Sequence, residues 1–148
     1  MSHMPRVLIV ESNDVLRAML FTILRHQPIG VDTAASAETG LKKIKFCEYA
    51  FILIDIDTPD SASFLEQFRE ERPDAPTFVF AIRDPSNDTE LDPELVSAVM
   101  NKPVEIDTVA ELVRECAQVV RRPADPARCP PAENDIRARM ERGPGLAN

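Results

Sequence analysis

The chain has 148 residues, 44% of them hydrophobic, with a formal charge of −8 and a pI near 4.8. That length and apolar content suit one domain with a real core and exclude global disorder. No apolar run approaches the about 20 residues of a membrane span, no basic and apolar leader opens the chain, and the acidic balance opposes nucleic acid, so the expectation is a cytoplasmic protein with no membrane or nucleic-acid partner.

Residues 1–5, opening MSHM, read as a vector remnant or flexible start. Val7, Leu8, Ile9 and Val10 form an unbroken aliphatic run, the pattern of a strand buried on both faces. From Asp14 to His26 the apolar residues Val15, Leu16, Met19, Leu20, Ile23 and Leu24 recur at helical spacing, with Ser12 or Asn13 as N-cap and Pro28 as the stop. On a wheel of about 100° per residue Phe21 falls about 240° from Val15, off the main stripe. It is either an exposed docking anchor or a contact to the last helix. Gly30 opens a short strand through Ala34, Ser36 caps a second helix with Ala37, Leu41 and Ile44 inward, and Phe51 to Asp55 is the third strand.

Ser63 and Glu66 have capping-box spacing for a third helix carrying Phe64, Leu65 and Phe68, which stops before Pro73. Thr77 to Ile82 is a fourth strand and Ala98 to Asn101 a fifth. Between them Pro85 and Pro93 interrupt any helix, so the element near Pro93 is expected to be short or irregular. Val109, Leu112, Val113, Cys116, Val119 and Val120 mark a long last helix. Residues 6–122 are thus the domain, and residues 123–148, punctuated by prolines, are expected to be a flexible tail. Cys47, Cys116 and Cys129 are odd in number, widely spaced and accompanied only by His3 and His26, which reads as reduced thiols rather than a disulfide framework or zinc site.

Short strands joined by helices form a parallel sheet with right-handed crossovers and helices on both faces. Ligands of such sheets sit beyond the carboxyl ends of the strands. There the first strand places Glu11 and Ser12, the third Asp55 and Asp57, the fourth Ala81, and the fifth Lys102 and Pro103. Carboxylates from two strands and an ammonium from a third would converge.

RVLIVES, the YAFILIDIDTP segment with an aspartate four residues before a proline, and NKPVEIDTVAELV, in that order on five alternating elements, resemble the receiver domain of bacterial response regulators from Arg6 to about Arg122. The resemblance implies a flavodoxin-like, doubly wound five-stranded parallel sheet of order 2-1-3-4-5. It implies that Asp55 accepts a phosphoryl group from a phosphohistidine of a histidine kinase or phosphotransferase, with Lys102 contacting that group, in two-component signalling or a phosphorelay. Such a chain is a signalling phosphoprotein rather than an enzyme. It implies Mg2+ held by Glu11, Asp55 and the carbonyl of Asp57, and a cis bond before Pro103. Ser12 stands where the second metal-binding acid belongs, so the metal is expected to bind weakly. Ala81 replaces the switch hydroxyl and Val99 the switch aromatic.

Two functions follow from these residues. One is a stand-alone, divergent receiver that signals to an unknown downstream protein by contact. The other is a phosphorylation-independent pseudo-receiver, an interaction or dimerisation module.

Overall fold

The computed structural model describes residues 4–119 and 129–135. Nine elements alternate along the chain: β1 (Arg6–Val10), α1 (Asp14–Leu24), β2 (Gly30–Ala34), α2 (Ala37–Ile44), β3 (Phe51–Asp55), α3 (Ser61–Glu71), β4 (Phe78–Arg83), β5 (Ala98–Asn101) and α4 (Ile106–Ala117). The strands form one parallel sheet of order β2-β1-β3-β4-β5. The order is the expected one. β1 and β3 lie inside the sheet, which is why Val7 to Val10 and Phe51 to Ile54 are unbroken apolar runs rather than alternating ones.

Each face of the sheet carries its own core. On one face Leu8, Val10, Ile52, Ile54, Val79 and Ala81 pack with Phe64, Leu65 and Phe68 of α3 and Ile44 of α2. On the other, Val7, Ile9, Phe51, Leu53, Phe80 and Ile82 meet Leu20 and Leu24 of α1 and Val109 and Val113 of α4. Phe51, Phe78 and Phe80 stack side by side there, ring centroids about 6 Å apart, at the spacing that lets neighbouring aromatics gain beyond their area.

Local chemistry sets the helix ends. Asn13 Oδ1 accepts the Leu16 N–H at α1, and Ser36 Oγ accepts the Thr39 N–H at α2, both as the sequence suggests. The expected Ser63–Glu66 box does not form, because the N-cap of α3 is Asp60, three residues earlier than Ser63. Asp60 adopts a left-handed conformation (φ 64°) that a short polar side chain tolerates, and the Ser61 hydroxyl donates to the Ile56 carbonyl.

The wheel of α1 is rotated from its sequence reading. Val15 is 70% exposed and Met19 48% exposed, whereas Phe21 packs into the cluster that α1 shares with α4. Phe21 therefore belongs to this core and is not an exposed anchor.

Between β4 and β5 no helix forms. Two prolines leave only turns: the Asp84 carbonyl accepts the Asn87 N–H, and the Asp92 carbonyl accepts the N–H groups of Leu95 and Val96 while its side chain accepts that of Glu94. Leu91, Leu95 and Val96 still pack against the α3 core, and Arg69 of α3 pairs with Asp92.

Two expectations fail at the β2 edge. Cys47 and Cys129 form a disulfide across 82 residues of sequence, so these two are not reduced thiols. Cys116 is free, its thiol pushed up by burial and by Glu115. Residues 129–135 lie against β2 instead of forming part of a flexible tail: Ala132 is buried, Glu133 bonds Thr33 and Lys43, and Asn134 bonds the backbone of Val31 and Ile29. Cysteine spacing carries no signal for such a long-range pair. Gly30 makes room for this packing, since a Cβ there would lie 3.0 Å from that of Ala132. Val120, expected in the last helix, and the rest of the expected tail at 123–128 and 136–148 fall outside the described residues. Among those described, no helix is long and apolar enough to cross a membrane.

Candidate functional site

The carboxyl ends of β1, β3 and β5 bring Glu11, Asp55 and Lys102 together. Asp55 closes β3 and is 2% exposed. One carboxylate oxygen receives Lys102 Nζ at 2.7 Å and the other accepts the Asp57 N–H at 2.9 Å. The peptide bond from Lys102 to Pro103 is cis, as the Lys-Pro motif implies.

Lys102 also lies 2.9 Å from Asp57 Oδ2, so one ammonium bridges two carboxylates. Burial alone would lower its pKa, but the bonds to Asp55 and Asp57 outweigh it and push the group up to about 12. For Asp57, burial acts upward and is outweighed by the Asn87 amide, by Lys102 and by the Asp84 N–H, which together hold the carboxyl below its ordinary value. Asp57 thus has its side chain fully engaged toward the loop after β4. Asn87 and Asp84 were not evident as site residues in the sequence, because that loop has no periodicity to orient it.

Glu11 is 1% exposed, and its carboxyl is pushed up to about 7, first by burial and then by the adjoining Asp55 carboxylate; the Asn13 N–H and Lys102 act weakly the other way. Its Oε1 is buried and has no hydrogen-bond partner among the described residues. Arg17 donates to the Glu11 carbonyl at 2.9 Å. Ser12 is turned to Thr58: its N–H and hydroxyl both engage the buried Thr58 hydroxyl, at 3.2 and 3.3 Å.

The donor set fits a hard divalent cation such as Mg2+. An orphaned, buried carboxylate oxygen lies beside a second carboxylate, and all donors are oxygen. Glu11 and Asp55 with the Asp57 carbonyl are the residues that would hold it. The set is sparse, for among the described residues no group of three or more His, Cys, Asp or Glu side chains is placed to hold a metal. Asp57, turned to Lys102 and Asn87, does not replace the acid missing at Ser12. At the switch positions, Ala81 is a buried methyl on β4 and Val99 is 45% exposed on β5.

No family model and no curated protein matches the sequence. Solved structures do match. A CheY-like response regulator receiver domain from Methanospirillum hungatei is 24% identical with a TM-score of 0.66, covering 78% of this chain and 95% of that one. A CheY-like receiver from Methylobacillus flagellatus is 20% identical with a TM-score of 0.66, over 76% of this chain and 98% of that one. The response regulator TrrA from Thermotoga maritima, in complex with Mg2+ and BeF, is 22% identical with a TM-score of 0.65, over 76% and 99%. The chain has the flavodoxin-like fold of response-regulator receiver domains, a five-stranded parallel sheet of order β2-β1-β3-β4-β5.

Proposed function

We propose that this chain is a divergent receiver in two-component signalling that accepts a phosphoryl group on Asp55 and signals through protein contacts. The carrying observation is the buried Asp55 at the end of β3, held by Lys102 from the end of β5 at 2.7 Å, with the protonatable Glu11 beside it. A carboxylate fixed on a strand end by an ammonium is a positioned nucleophile. Asp55 attacks the phosphorus of a phosphohistidine, a P–O bond forms as the P–N bond breaks, and the bond pair stays on the imidazole, which takes up a proton. Lys102 then faces the new phosphoryl oxygens while keeping Asp57. Mg2+, when bound by Glu11, Asp55 and the Asp57 carbonyl, supplies the positive charge that lets two anionic oxygens approach, as the Mg2+ and BeF complex of the T. maritima neighbour suggests. The protein is a signalling module that turns over no substrate of its own, and its setting is the cytoplasm.

The phosphodonor, a histidine kinase or phosphotransferase, meets the groove of about 660 Å³ between α1 and the start of α4. Val15, Met19 and Ile106 give its lining apolar surface, and Asp14, Glu105 and Asp107 line it with acids. Because the stretch from β4 to β5 has no helix, the surface that meets the downstream protein is rebuilt there.

A second reading, the phosphorylation-independent pseudo-receiver, is favoured by Ala81, which offers the phosphoryl group no hydroxyl, and by the exposed Val99. The two separate in one experiment. Incubated with a small phosphodonor and Mg2+, the wild-type chain gains the mass of one phosphoryl group slowly, and Asp55→Asn gains none. Ser12→Asp strengthens Mg2+ binding, by a carboxylate worth about 4 kcal/mol per charge pair at 4 Å before desolvation. Ala81→Thr improves uptake or its conformational readout, through a hydrogen bond to a charged group worth about 1.5 to 3 kcal/mol. No uptake by wild type or by the Ser12→Asp, Ala81→Thr double variant establishes the pseudo-receiver.

A further inference from the structure

We propose that Cys47 and Cys129 are a reversible thiol–disulfide site whose oxidised state fastens residues 129–135 over the outer edge of β2. β2 ends the sheet, so its outward N–H and C=O groups would otherwise stand open to any pairing strand. The segment meets those groups with side chains. Asn134 Oδ1 accepts the Val31 N–H at 2.9 Å and its amide donates to the Ile29 carbonyl at 3.0 Å. Glu133 accepts both the N–H and the hydroxyl of Thr33 at 2.8 Å, and its own N–H donates to Asp32 Oδ1 at 3.0 Å. Lys43 of α2 reaches Glu133 at 2.7 Å, and Ala132 fills the gap beside Gly30.

These are mostly half-buried polar contacts around one small apolar residue. Ordering seven residues costs more conformational freedom than so few contacts return, so docking depends on the covalent link. Two features make that link exchangeable. Cys129 is only half-buried, which admits a small thiol, and Arg6 donates to its sulfur, a cation placed where it favours the thiolate. Arg6 is itself fixed by Asp32 and by the Pro130 carbonyl, so the same side chain serves strand, segment and sulfur.

The oxidant is a low-molecular-weight disulfide. The Cys129 thiolate attacks one of its sulfurs and releases the first small thiol; the Cys47 thiolate then attacks the Cys129 sulfur of the mixed disulfide and releases the second. Two electrons and two protons pass to the small disulfide, and an excess of small thiol runs the sequence backwards. This proposal is independent of the phosphoacceptor reading, because its readout lies at the β2 edge and not at Asp55.

The test uses the full chain in oxidised and reduced glutathione. Oxidised glutathione should close the link in the wild type and in Cys116→Ser, seen as the loss of two hydrogens, and not in Cys47→Ser or Cys129→Ser. On reduction the Val31 and Thr33 amides should exchange about tenfold faster while those of Leu8 and Leu53 stay protected, and both serine variants should match the reduced form. Glu133→Ala, with the link intact, should expose the Thr33 amide. A link that survives excess reduced glutathione makes the pair a permanent staple and overturns the proposal. Unchanged Val31 and Thr33 exchange on reduction, or protection lost through the whole sheet, overturns it as well.

Discussion

Burial and Asp55 raise the Glu11 carboxyl from 4.5 to about 7, and this makes Glu11 a destabilising residue at neutral pH and above. Between those two values the folded chain holds a proton that the unfolded chain has released, so stability falls as pH rises from about 4.5 to about 7, and the whole cost remains beyond. Relaxation around the buried carboxylate offsets part of the shift, so the expected cost is about 2 kcal/mol rather than its full conversion. Glu11→Gln should therefore stabilise the protein by about that amount at pH 8 and leave it nearly unchanged at pH 4, measured by urea unfolding. An equal effect at both values would show that charge is not the cause. Lys102 works in the opposite direction. Its removal as Lys102→Met leaves Asp55 buried without its cation, a loss of about 2 kcal/mol after discounting for the partly exposed ammonium. In the Asp55→Asn background the same change should cost clearly less, and additivity in that double-mutant cycle would mean the pair contributes nothing. That Glu11, Asp55 and Lys102 would converge was legible because Glu11 and Asp55 follow or close long apolar strand runs, while Lys102, after the weaker strand β5, stood out only through its Lys-Pro motif. The engagement of Asp57 was not, since its partners Asn87 and Asp84 sit in a proline-interrupted loop.

Elements show the same division between periodic and aperiodic sequence. The strands and the four helices that form followed from runs and stripes, with ends displaced by a few residues, whereas the short helix expected near Pro93 is reduced to turns. The stripe of α1 placed Val15 inward because a wheel cannot say where α4 lands; only Leu16, Leu20, Leu24 and, at the side, Phe21 meet the core. Gly40 in α2 likewise carries a packing role that its sequence context hides. A Cβ there would lie 2.9 Å from Cε1 of Phe64 and 3.2 Å from Cγ2 of Val10, and both neighbours are fully buried. The missing side chain is what lets α2 settle against α3. Gly40→Ala gains about 1 kcal/mol in helix propensity but overpacks a rigid ring, which costs about 1 to 3 kcal/mol. A net destabilisation of about 1 kcal/mol in thermal or urea unfolding is expected. A stabilised variant would show that Phe64 turns aside freely.

Across the whole molecule, the disulfide changes the relation between the domain and the segment that follows it. Length and apolar content suit a real core, and every strand from β1 to β4 is packed on both faces. The link between Cys47 and Cys129 acts on a different quantity. Closing 82 residues of sequence removes conformational freedom chiefly from the unfolded chain, which on the loop-entropy account stabilises the fold by about 4 kcal/mol. Contacts made by residues 129–135 add to this only while the segment is docked. Reduction should accordingly lower the urea midpoint by an amount equivalent to about 2 to 4 kcal/mol and raise the slope of the transition, because the released chain exposes more surface when it unfolds. Against a typical total of about 5 to 15 kcal/mol the reduced protein remains folded, so the sheet and the Asp55 site persist in both redox states. Identical unfolding curves for the oxidised and reduced chains would place the link outside the cooperative unit and confine its effect to the β2 edge.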